Sequence, residues 1–285
     1  MTCIMSRGTH PFRASNPAQA VHPASTGPVG SCRRILSLIL VAGCLPVLCL
    51  SGNVRAQDRA EVELTLLNGQ PVGELARGID GAAWGGALSA RWILRGTAIS
   101  IGGRVGVTTY GSEFSHDLPG YTAVNPEYMK FSYDLLTTHV VIRFQPRLAR
   151  LTPYVETFAG INYFFTQAYT GENTTAPIFV NGTMIMVTED ESKTLIENAA
   201  PSYGLGAGLK MRLLRFGQGK KATGNPLTLF FDLQGRYLFG GRVKYLAPGS
   251  LSFDGDRLVL TDRYTRSDLL FLSAGISLRG AFRER

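Results

Sequence analysis

Residues 202–213 alternate without a break. Tyr203, Leu205, Ala207, Leu209, Met211 and Leu213 fall on one face, and Ser202, Gly204, Gly206, Gly208, Lys210 and Arg212 on the other. Only a strand separates those two sets, because successive side chains leave opposite faces of a pleated backbone. The pattern returns in 267–282, where Leu270, Leu272, Ala274, Ile276, Leu278 and Phe282 stand opposite Ser273, Gly275, Ser277 and Arg279. In 227–239 the apolar set from Leu227 to Phe239 opposes Thr228, Asp232, Gln234 and Arg236. Segments 61–68, 84–94, 97–110, 131–145 and 153–169 follow the same rule, which gives eight strands. No segment after Gln57 holds a helical period.

The connections alternate in length. Tight links at Arg95-Gly96 and 145–152 and a moderate one at 216–226 take turns with long stretches at 111–130, 170–200 and 246–266. This is the pattern of an up-and-down meander with one rim of turns and one of elaborated loops, as in outer-membrane barrels. Alternation alone also suits a soluble barrel of the lipocalin kind, with its apolar face inward. The polar faces decide between them. Those of 202–213 and 97–110 mix small residues with an occasional Arg or Lys, where a water-facing strand would be dense in charge. Such a face fits a narrow interior, which eight strands leave just wide enough for side chains to fill. The expected fold is therefore all-β: an eight-stranded antiparallel up-and-down transmembrane β-barrel. Aromatics among the outward set (Trp84, Trp92, Tyr163, Tyr169, Tyr203, Tyr237, Phe239 and Phe282) suit interfacial girdles. In 170–200 and 246–266, Asn181-Gly182 and Asp254-Gly255 each sit between apolar runs and predict hairpins extending above the membrane.

Ahead of the strands, Arg33-Arg34, the apolar run Ile35–Leu50 and Val54-Arg55-Ala56 read as a secretory signal over 33–56, with 57–285 as the barrel domain. Residues 1–32, rich in Pro, Ser, Ala and Gly, read as a disordered extension or a misassigned start. A competing reading lipidates Cys44 within Val41-Ala42-Gly43-Cys44. The formal charge of +8 then loses its first meaning. Five arginines and no acidic residue lie in 1–56, leaving 24 basic and 21 acidic side chains, a net of +3, so no nucleic-acid partner is expected. All four cysteines lie before Gln57 as well, which leaves the barrel without a thiol for disulfides, metal ligation or nucleophilic attack.

Across 57–282 the chain resembles the outer-membrane β-barrel proteins of Bacteroidetes-type Gram-negative bacteria. The resemblance rests on Pro153-Tyr154-Val155-Glu156 leading to Gly160-Ile161-Asn162-Tyr163-Phe164, on Arg236-Tyr237-Leu238-Phe239-Gly240-Gly241 with Tyr245-Leu246, and on the final strand. It implies a fold and a location in the outer membrane, with no activity attached. It also implies that the last strand, ending at Phe282, is read by the barrel assembly machinery; Arg283-Glu284-Arg285 depart from that pattern by displacing the aromatic from the end.

Strand parity gathers Glu61, Glu63, Arg91, Arg104, His139, Arg143, Glu156, Lys210, Arg212, Asp232, Arg236 and Arg279 inside. Buried charges persist when paired, so the leading expectation is a closed, salt-bridged lumen in a barrel of structural or surface-interaction role, bedded in outer-membrane lipid. The alternatives are a narrow channel for anions or small hydrophobic solutes, and a soluble periplasmic lipocalin-like binder. The long loops offer a surface for an extracellular ligand or protein. No cofactor, metal site or catalytic residue is expected, and the chain is read as not an enzyme. His116, in Ser115-His116-Asp117, and His139 are its only histidines after Gln57, and adjacent residues of a triplet point apart.

Overall fold

The computed structural model describes residues 59–115, 129–146, 150–170, 175–180, 183–188, 192–216, 227–254 and 257–281. The expected signal segment, the extension before it, Cys44, His116 and Phe282 lie outside the described residues. Eight strands close a barrel: β1 (Arg59–Pro71), β2 (Ala83–Ile93), β3 (Ile99–Ser115), β4 (Met129–Phe144), β5 (Leu151–Thr170), β8 (Lys193–Phe216), β9 (Leu227–Gly240) and β14 (Leu269–Ala281). Each pairs antiparallel with its neighbour in the ring, and β14 returns to β1 with Ala281 opposite Arg59 and Leu269 opposite Pro71. This is the predicted up-and-down order.

Between the barrel strands lie β6 (Thr175–Val180) and β7 (Thr183–Thr188), then β10 (Arg242–Tyr245), β11 (Leu251–Asp254), β12 (Arg257–Leu260) and β13 (Arg263–Arg266). The two predicted hairpins are present, since β6 pairs β7 with Val180 opposite Thr183, and β11 pairs β12 with Asp254 opposite Arg257. They are not separate ribbons. β12 runs parallel to β6, which merges the two loops into one four-stranded sheet in the order β11-β12-β6-β7. The strands β10 and β13 form a second, two-stranded sheet. The predicted two-residue turn at Arg95-Gly96 is longer, because β2 ends at Ile93 and β3 starts at Ile99; Gly96 supplies the left-handed φ of 75° that the turn needs.

The facing of the strands decides the solvent. Val62, Leu64 and Leu66 of β1 are exposed while Glu61, Glu63 and Thr65 between them are buried. The same holds on β3, where Ile101, Val105 and Val107 are outside and Ser100, Arg104 and Thr108 inside. Leu66 is 74% exposed and Leu205 64%. In water a surface of this kind costs roughly 25 cal/mol for each Å² of apolar area; in lipid the cost vanishes. The soluble reading needs the opposite facing and is set aside: this is a transmembrane barrel, crossed by strands. On β2, Trp84 and Trp92 mark the two ends of the outward face, with Leu88 midway. No helix among the described residues is long and apolar enough to cross a membrane.

Candidate functional site: a two-layered lumen

Near the rim where β1 begins and β14 ends, inward side chains of β1, β2, β3, β4, β5, β8, β9 and β14 meet in one ion-pair network. Glu61 accepts from Arg91 Nη2 at 2.5 Å, from Arg279 Nη2 at 2.7 Å, and from Lys210. Glu63 accepts from Arg91 and lies 3.4 Å from both Arg104 Nη1 and Arg143 Nη1. Glu156 holds Arg143 at 2.8 Å and Arg236 at 2.7 Å. Asp232 lies 3.4 Å from Arg143 and from Lys210, and accepts the Tyr154 hydroxyl at 2.6 Å. Arg104 also donates to Gln234 Oε1 and Thr65 Oγ1.

Arg143 is the hub of this network. Fully buried, it touches three carboxylates and stacks its guanidinium 3.7 Å above the Tyr154 ring. Arg236 stacks likewise on Phe158 at 4.0 Å. Among the described residues the network joins six cations (Arg91, Arg104, Arg143, Lys210, Arg236 and Arg279) to four carboxylates. Bases thus outnumber acids inside.

Two glycines of β8 create the room. A Cβ on Gly206 would stand 3.1 Å from Arg236 Cγ and from Glu156 Cγ, and one on Gly208 only 2.3 Å from Tyr154 Cζ. Gly208→Leu therefore drives Tyr154 off Asp232 and away from Arg143. The expected cost is about 1–3 kcal/mol of overpacking, read as a lowered urea midpoint of the refolded barrel; an unchanged midpoint would refute the fit described.

Two of the twelve expected residues stand apart. His139 stands opposite Arg104 in the β3–β4 register but outside the ion pairs, with Nε2 2.9 Å from Ser202 Oγ and its ring edge-on to Phe158. Ser202 donates its proton to Asn162 Oδ1 at 3.1 Å, so His139 is the donor through Nε2, and it touches no carboxylate. Arg212 is not in the network either. It lies at the edge of the rim beside a register shift between Arg212 and Leu214, and lines a cavity there. It still faces inward, opposite buried Phe230, but one inward step beyond Lys210; the bulge after it brings Arg215 opposite Thr228 on the same cavity, which parity alone does not foresee.

Toward the loop rim the interior changes character. Tyr110, Tyr133, Phe131, Phe164, Leu238 and Phe271 point inward and are buried, joined from the loops by Leu75, Val243, Tyr245 and Leu246. Tyr110 and Phe164 have ring centroids 5.9 Å apart, Phe164 and Tyr245 6.2 Å, and the Tyr110 hydroxyl donates to the Leu246 carbonyl at 3.2 Å. Outside the spanning strands, burial pushes the Tyr245 phenol up from its usual value, against the opposing pull of the Arg263 guanidinium. The sequence reading of a polar interior holds for one layer only, since an apolar cork fills the other. Among the described residues no group of His, Cys, Asp and Glu is arranged to hold a metal ion.

No family model matches the chain, and no curated protein does. Solved structures similar to it are outer-membrane proteins. Neisserial surface protein A shares 10% identity at a TM-score of 0.35, over 79% of this chain and 97% of its own. Ail, the attachment invasion locus protein of Yersinia pestis, shares 12% at 0.35, over 79% and 99%. The outer membrane protease OmpT of Escherichia coli shares 10% at 0.33, over 80% and 98%. The last of these corrects the expectation that the chain is not an enzyme. That expectation rested on the lack of a Ser-His pair, a cysteine or a metal-ligating cluster in the sequence, and one of the similar barrels is a protease.

Proposed function

We propose that the chain is an outer-membrane β-barrel of Gram-negative type whose lumen is sealed and whose working surface is the cap of joined loops. The observation that carries this reading is the stacking of two barriers along one lumen, the ion-pair layer from Glu61 to Asp232 and the apolar cork around Tyr110, Phe164 and Tyr245. Passage of an ion would require both to part. The loops, in contrast, are built into regular sheets with exposed apolar tips at Met184, Val259 and Tyr264, which suits contact with an extracellular protein or ligand. The kinship with Bacteroidetes-type barrels, and recognition of the last strand by the assembly machinery, belong to the same proposal.

The refolded full chain is expected to be silent in planar lipid bilayers and to migrate heat-modifiably on gels. Arg104→Ser, which removes one cation from the polar layer, is expected to stay silent because the cork remains. A stepwise, anion-selective current from the unmodified chain would overturn the sealed lumen in favour of a narrow anion passage. Recovery in the soluble periplasmic fraction would sink the membrane reading altogether.

A further inference from the structure

At the rim where β1 begins and β14 ends, a cavity of about 520 Å³ opens below the ion-pair layer. Five arginines line it: Arg59 from β1, Arg95 from the β2–β3 turn, Arg212 and Arg215 from β8, and Arg279 from β14. Among the described residues no carboxylate lines it. Glu61, which holds Arg279, already serves Arg91 and Lys210, and the layer above carries six cations against four carboxylates, so the interior has no spare negative charge to offer downward. Among the described residues, no acidic side chain pairs with Arg59, Arg95 or Arg212 either. Polar groups complete the lining, including Ser100, Thr152 and Thr228, with Phe230 as an apolar wall over which Arg279 lies at 4.8 Å.

We propose that this vestibule binds a phosphate-bearing anion. Guanidinium forks arriving from separate strands suit an acceptor with three oxygens and more than one charge better than a flat, singly charged carboxylate. Hydroxyls of the wall supply neutral donors for the remaining lone pairs. The site is independent of whether the lumen above conducts. The phosphate group can come from a soluble compound entering along the axis or from a lipid headgroup reaching over the rim.

Calorimetric titration of the refolded full chain with pyrophosphate, in neutral detergent, tests it. Saturable binding is expected, weakened at least tenfold in Arg95→Ser/Arg212→Ser, a variant that leaves every ion pair of the network in place. Arg77→Ser, at the loop rim, is expected to bind as the parent does. Repeating the titration in phosphatidylcholine vesicles with and without phosphatidic acid separates the sources: competition by this lipid phosphomonoester identifies a headgroup, and an unchanged affinity identifies a soluble ligand. Absence of binding, or equal binding by the double variant while heat-modifiable migration is intact, overturns the proposal.

Discussion

Arg143→Met is expected to destabilise the barrel by about 3–5 kcal/mol, the cost of removing one partner from a buried ion pair and leaving the other charge unmatched. The loss falls on more than one group. Glu156 would keep only Arg236, Asp232 only Lys210 and the Tyr154 hydroxyl, and the face of Tyr154 would lose its guanidinium. Methionine matches the length of the stem, so cavity formation adds little and the effect reports charge. A second substitution separates the two contributions: Arg143→Met with Asp232→Asn removes the carboxylate whose one remaining cation is Lys210 at 3.4 Å, while Lys210 still keeps Glu61, and is expected to recover part of the loss. Urea unfolding of the refolded protein in detergent measures both. A single variant within 1 kcal/mol of the parent would mean that the network is ornamental to stability, as exposed pairs commonly are.

Leu88→Arg is expected to cost about 2–4 kcal/mol, the penalty for arginine near the midplane on the lipid face of a barrel. Leu88 lies midway between Trp84 and Trp92, opposite Leu64 of β1 and Val105 of β3, and is exposed. The same change at Leu94, in the turn beyond Trp92, is expected to cost about 0–1 kcal/mol because the side chain reaches the interface. The contrast matters more than either value. On a water-facing strand both substitutions would be nearly neutral, so equal and small effects in lipid vesicles would contradict the assigned facing.

How much of this was legible beforehand depends on whether parity survives in the local sequence. In β8 and β3 it does: small and charged residues alternate with aliphatic ones, and the inward set follows by counting. In β4 its polarity inverts at the loop end, where Phe131, Tyr133 and Leu135 face in and alternate with Lys130, Ser132 and Asp134, so a rule that sends polar residues inward reads this stretch backwards. The cork made by Tyr133 with Tyr110 and Phe164 was therefore hidden by the sign of the pattern and not by its absence. Arg212 was misplaced for a different reason. Parity placed it inward correctly, opposite buried Phe230, but one inward step beyond Lys210 it is past the carboxylates and faces the rim cavity. The hairpins at Asn181-Gly182 and Asp254-Gly255 were local and therefore readable. The parallel pairing of β12 with β6 joins residues some eighty positions apart, and no dipeptide announces such a contact.

The pairing of β14 with β1 gives the chain an all-or-nothing character. Glu61, near the start of the described chain, is held by Arg91 from the next strand and by Arg279 from the last, so the carboxylate that anchors the polar layer gains its full set of partners only when the final strand arrives. Until then β1 presents an open edge along its whole length, and Glu61 lacks one of its cations. Synthesis from one end cannot complete such a ring piece by piece. Insertion into the bilayer and the tying of first strand to last become a single event, and the electrostatic centre of the molecule serves as its clasp.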